Sequence, residues 1–161
     1  CVGSVLALLS ASYLIINLLP VQDELTLDPS ARIIEPQYTD GKGLPPKVTA
    51  IVEYKNLPVN HYLWIVMRVP KVKPDWIVYP QMQMGIPGSV IEPYRLEIPV
   101  GLGNDTDSGQ PFNIIVLLLN EEANQLFIEY ATACEIEKKC GGLLLPPRGV
   151  NILDFNTVLR E

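Results

Sequence analysis

His61–Val69 reads HYLWIVMRV, apolar without a break from Tyr62 to Met67. A strand with one wet face alternates apolar and polar residues, whereas a strand covered on both sides reads as a short continuous apolar run. Phe112–Asn120, FNIIVLLLN, has the same character. These two segments predict central strands of a sheet that is covered on each face. The fold has to be built around them.

Working outward, Lys47–Tyr54 (KVTAIVEY) alternates, with Val48, Ala50, Val52 and Tyr54 on one face. Asp75–Gln81 (DWIVYPQ) predicts a short strand ended by Pro80. Ser89–Val100 alternates Tyr94, Leu96 and Ile98 against Arg95 and Glu97. Pro93 and Pro99 cannot donate to a ladder, which assigns that strand to an edge. Gly149–Leu159 closes the series with Ile152, Phe155 and Val158. Short strands at this spacing, separated by turn residues, predict a mainly β antiparallel sandwich. One helix interrupts it after Asn120. Asn120 can cap, Glu121 and Glu122 suit the positive end of the helix dipole, and Ala123, Leu126, Phe127 and Tyr130 form an apolar face. That helix is expected across the open end or side of the sandwich.

The head of the chain differs in kind. Residues 1–21, CVGSVLALLSASYLIINLLPV, carry no charge, and every charged residue lies after Gln22. A bilayer span needs about 20 predominantly apolar residues, so one N-terminal transmembrane helix is expected. The faint small-residue site Ser10-Ala11-Ser12 lacks the basic flank of a secretory signal. Gly3, Ala7 and Ala11 stand four apart and would form a small-residue ridge for helix packing in lipid. The organisation expected is thus a membrane helix over 1–21, a stalk and first edge strand over 22–43, and the sandwich over 44–161. With Asp23, Glu24 and Asp28 following the span and no Lys or Arg before Arg32, the sandwich is expected on the extracytoplasmic side, away from the anionic cytoplasmic leaflet.

The chain carries 12 basic and 18 acidic residues, a net charge of −6. A nucleic-acid partner would require clustered basic residues, so none is expected. Cys134 and Cys140 bracket CEIEKKC, a spacing that suits a small disulfide loop and matches no structural zinc site. Gly101–Gln110 (GLGNDTDSGQ) gathers oxygen ligands of the sort that hold Ca²⁺ but lacks a closing acidic residue, and it reads as a polar turn. His61 is the sole histidine, without a nucleophile setting. No catalytic set, metal site or cofactor is expected, and the protein is expected not to be an enzyme.

Three stretches also carry a resemblance: 44–81, with its tryptophan-centred strand around Trp64 and the Tyr79-Pro80-Gln81 strand end; 109–127; and 143–161, ending at Arg160. Together, over roughly residues 41 to 160, they resemble an immunoglobulin-like sandwich module of single-pass bacterial, cyanobacterial-type membrane proteins. Where such modules carry a tryptophan in the middle strand, this chain has Tyr94. The resemblance implies that fold and an absence of enzymatic residues.

The expected function is a non-enzymatic, membrane-anchored accessory subunit. Its partners would be other membrane protein subunits and the lipid bilayer, with a contact patch around Trp76, Tyr79, Met82 and Met84. If buried, that group would instead be core. The competing expectation is a surface receptor-like module binding a small ligand or glycan through sandwich-end loops, at Trp76 and Asn104–Ser108.

Overall fold

The structure is a computed structural model, and it describes residues 28–37, 42–72, 77–84, 93–137, 140–145 and 148–161. The expected membrane helix over 1–21, with Gly3, Ala7 and Ala11, lies outside the described residues. So does Trp76. Among the described residues no helix is long and apolar enough to cross a membrane.

The elements are β1 (Ser30–Glu35), β2 (Lys47–Lys55), β3 (His61–Arg68), β4 (Ile77–Met84), β5 (Tyr94–Gly101), β6 (Pro111–Asn120), α1 (Glu121–Glu137), β7 (Leu143–Leu144) and β8 (Val150–Leu159). They form a three-stranded sheet ordered β1-β2-β5 and a five-stranded sheet ordered β7-β4-β3-β6-β8. All these strand pairs are antiparallel. The mainly β sandwich with one helix expected from the sequence is present.

The central pair β3 and β6 explains the two apolar runs. On β3, Leu63, Ile65 and Met67 face the three-stranded sheet, together with Ile114, Val116 and Leu118 of β6. There they meet Ala50 and Val52 of β2 and Ile98 and Val100 of β5. The intervening residues Trp64, Val66, Ile115, Leu117 and Leu119 point the other way and are buried beneath Ala123 and Phe127 of α1. At about 25 cal/mol per Å² of apolar area removed from water, a strand covered twice gains on both faces. That is why neither run can alternate.

The helix therefore lies on the outer face of the five-stranded sheet, making a third layer. This corrects the expectation that it would cross an end or side of the sandwich. The cause is the outward row of β6, which would otherwise expose Ile115, Leu117 and Leu119. The helix face is also corrected. Ala123, Asn124 and Phe127 are buried, Leu126 is exposed, and Tyr130 is half-buried. Asn120 caps as expected, accepting a hydrogen bond from the Ala123 N–H at 2.9 Å.

Two strand bounds differ from expectation. Pro80 does not end β4; the pairing with β3 shifts register between Ile65 and Val66, which face Met82 and Pro80. Such a bulge lets a residue without an N–H sit within a strand. β5 begins at Tyr94, and as its prolines require it is an edge of its sheet. At the other edge, β1 is the first strand of the sandwich itself, paired with β2 from Ser30↔Lys55 to Glu35↔Ile51. Further along, Leu44 makes a parallel bridge to Arg160, its N–H donating to the Leu159 carbonyl at 2.7 Å. The chain thus passes from the edge of one sheet to the edge of the other.

Candidate functional site

The two outer faces of the sandwich differ. On the three-stranded sheet the outward row Arg32, Glu53 and Arg95 runs across β1, β2 and β5 by register, and these residues are exposed. Alternating charge of this sort suits water. On the five-stranded sheet the helix covers β3 and β6, but among the described residues nothing covers β8 beside it. Ile152 and Phe155 pair with Leu117 and Ile115, so they share the helix-side face, and they are 46% and 58% exposed. Leu126 and Ile128 of α1 are exposed as well. The apolar pair on β8, Ile152 and Phe155, is the candidate site, and its chemistry is that of a contact surface.

Over β3 the helix is fastened by a polar lock. The Trp64 indole N–H donates to Asn124 Oδ1 at 2.8 Å. Phe127 meets the Trp64 ring edge-on, centroids 5.2 Å apart. A buried indole needs a partner for its N–H, and Asn124 supplies it. At the start of α1, Tyr62 donates to Glu121 at 2.5 Å. That hydrogen bond to the carboxylate, with lesser contributions from burial and the Glu121 charge, raises the Tyr62 phenol above its usual value. Burial likewise raises Tyr130, opposed by its backbone hydrogen bond to Gly142 and aided by Tyr79.

Cys134 and Cys140 form a disulfide, Cα atoms 5.1 Å apart, at the far end of α1. Close by, the Gly142 N–H donates to the Tyr130 hydroxyl at 3.0 Å.

The contact patch expected around Trp76 is not a single surface. Tyr79 is half-buried and packs against the inter-sheet core. Met82 and Met84 face the same side, opposite Ile65 and Leu63, yet Met82 is 45% exposed while Met84 is buried. Met84 is core.

The loop from Leu102 to Gln110 closes on itself. Asp107 accepts the Asn104 N–H at 2.6 Å within a 3₁₀ turn over Asp105–Asp107, and Arg160 donates to the Asn104 carbonyl. Among the described residues no three His, Cys, Asp or Glu side chains gather as a metal ion would require. A shallow hollow of about 410 Å³ lies at the opposite end of the sandwich, where β1 begins, lined by Ala31, Arg32, Glu53, Tyr54, Lys55 and Pro93. Next to it Tyr94 leans on Tyr54, ring centroids 6.0 Å apart.

Sequence reasoning missed Asn124 because a lone amide inside an apolar helical face looks like a solvent position. Ile152 and Phe155 read in the sequence as part of a strand, without indication that their face stays open. The signal available was their odd spacing, three apart in a strand of period two, which implies a bulge if both share a face. The register does shift there, with Val116 facing Asp154 and Leu117 facing Ile152. Compared with known protein families, with curated proteins and with solved structures, the chain matches none.

Proposed function

We propose that this protein is a non-enzymatic, membrane-anchored interaction subunit whose sandwich rests against other subunits of a membrane assembly. The observation that carries the reading is the apolar strip formed by Ile152 and Phe155 next to α1, set against a charged outer face on the other sheet. A domain with this asymmetry has one side suited to water and one suited to a partner. The uncharged head over 1–21 supplies the anchor by the length rule. β1 begins at Ser30, so the sandwich end bearing Val59 and Tyr94, which are 67% and 56% exposed, is the end nearer the bilayer.

The Cys134–Cys140 disulfide supports an extracytoplasmic site for the domain, since such bonds persist in oxidising compartments. The strand partition supports an immunoglobulin-like reading. β1-β2-β5 against β4-β3-β6-β8 corresponds to strands A, B and E facing strands C′, C, F and G of that fold. The α1 and β7 segment would then be an insertion between the last two strands. Two hallmarks differ: Trp64 points to the helix rather than between the sheets, and the cysteines lie outside β2 and β6.

The test is recovery from native membranes in mild detergent. The subunit should co-purify with stoichiometric partners, and Phe155→Lys should release them while the domain stays folded. A monomer that behaves identically with and without that substitution sinks the proposal. Failure of the chain to float with lipid vesicles sinks the anchor.

A further inference from the structure

We propose that the segment from Cys140 to Leu145 is a disulfide-held strap over the edge of β4, and that a dithiol reductant releases it and bares that edge. β7 comprises only Leu143 and Leu144, which pair with Val78 and Ile77. A two-residue ladder does not hold itself in water. Two restraints tie this segment back to α1 instead: the Cys134–Cys140 bond and the hydrogen bond from Gly142 to the Tyr130 hydroxyl.

The strap also needs a residue without a side chain where it closes on β4. Gly142 has φ +79°, and a Cβ there would collide with the Ile77 side chain and crowd Tyr79. Packing contributes from one direction only, with Leu143 and Leu145 partly buried against the helix-side core and Leu144 59% exposed.

The half of α1 that bears Cys134 is itself lightly held. Every buried residue of the helix lies at or before Phe127. Cys134 is half-buried and Cys140 exposed, so the bond is within reach of a soluble thiol. One thiolate of the dithiol attacks a sulfur and breaks the S–S bond. Its second thiol then closes on the mixed disulfide. The protein gains two thiols and the reductant leaves as its own disulfide, two electrons and two protons having moved. Without the covalent loop the strap retains one side-chain hydrogen bond and partial packing. The backbone groups of β4 that faced β7 then become the unpaired donors and acceptors of an open edge, to which another strand can add.

Hydrogen exchange on the purified chain, with and without dithiothreitol, tests this. Reduction should speed exchange at the amides of Ile77–Val78 and Leu143–Leu144 that cross between β4 and β7, on the order of tenfold or more, the scale of the loop-closure entropy of a short disulfide loop. The amides of β3 and β6 should not change. Replacing both cysteines, Cys134→Ser with Cys140→Ser, should give the fast pattern without reductant. Gly142→Ala keeps the disulfide but pushes the strap off Ile77, so it should speed the same amides in the oxidised protein. Unchanged protection on reduction overturns the proposal. Loss of protection across all strands together also overturns it, because the bond would then hold up the whole fold and not a strap.

Discussion

The Asp154 carboxylate accepts the backbone N–H of Ile33 at 2.7 Å, joining the edge of one sheet to the edge of the other. Ile33 lies on β1, whose far side has no strand beside it among the described residues. Asn156, two residues along β8, donates to the Pro36 carbonyl at 3.1 Å. The opposite edge is treated in the same way, with Gln81 of β4 accepting the Gly101 N–H of β5 at 3.2 Å. Side chains of the larger sheet thus occupy backbone groups along both borders of the smaller one. This is a general means of denying an edge to other chains.

Replacing Asp154 by Ala should cost about 1.5–3 kcal/mol, the range for a hydrogen bond to a charged group, since the half-buried Ile33 N–H is left without its acceptor. Asp154→Asn keeps an acceptor and should cost less. Denaturant unfolding gives the magnitude, and faster exchange at Ile33 in the Ala variant alone locates it.

Asn124→Leu should destabilise by about 1–3 kcal/mol, because the buried Trp64 indole N–H loses its acceptor, Asn124 Oδ1. Trp64→Phe with Asn124→Leu should recover part of that loss, since neither polar partner then remains. A double-mutant cycle by thermal unfolding measures the coupling. Additive costs would show that the two groups do not depend on one another.

Phe127→Ala should cost about 3–5 kcal/mol, the range for emptying an aromatic site in a core. Phe127 is fully buried, and its ring is the main apolar weight holding α1 to the sheet. Detachment of the helix should appear as a red shift and gain in quenching of Trp64 emission.

Asn120→Ala removes the acceptor that satisfies the Ala123 N–H and should cost about 1 kcal/mol. The loss should be visible as fraying of the first turn of α1 in amide exchange.

The three phenols held above their ordinary value predict an alkaline limit. Tyr54 is raised by burial and then by Tyr94, Tyr62 by its bond to Glu121, and Tyr130 by burial. A raised folded-state value means the neutral form is the favoured one. Their contribution to stability is therefore fully present below the unfolded tyrosine value of about 10 and is lost as pH rises through the folded values. Absorbance titration of tyrosinate should show these three ionising above the ordinary phenol value. Glu121→Gln should bring Tyr62 back toward the ordinary phenol value.

The sequence by itself determined which segments are strands, and how each is covered. Unbroken apolar runs at 61–69 and 112–120 can only be satisfied by cover on both faces. The alternation at Lys47–Tyr54 matches one dry face, with Ala50, Val52 and Tyr54 buried. Pro99 within Tyr94–Gly101, with Pro93 just before it, excludes a central place. These are local statements, settled by periodicity and by missing donors.

Where the second cover comes from was decided only by the tertiary structure. A helix face of Ala123, Asn124 and Phe127 could pack on any apolar surface. What fixes it on the outer face of β3 and β6 is the partnership of Trp64 with Asn124, 60 residues apart. The open strip at Ile152 and Phe155 is equally non-local, for it depends on where α1 stops covering the sheet and on a register shift in β8. Periodicity reports that a residue seeks an apolar neighbour; only the packed fold shows whether the chain itself provides one.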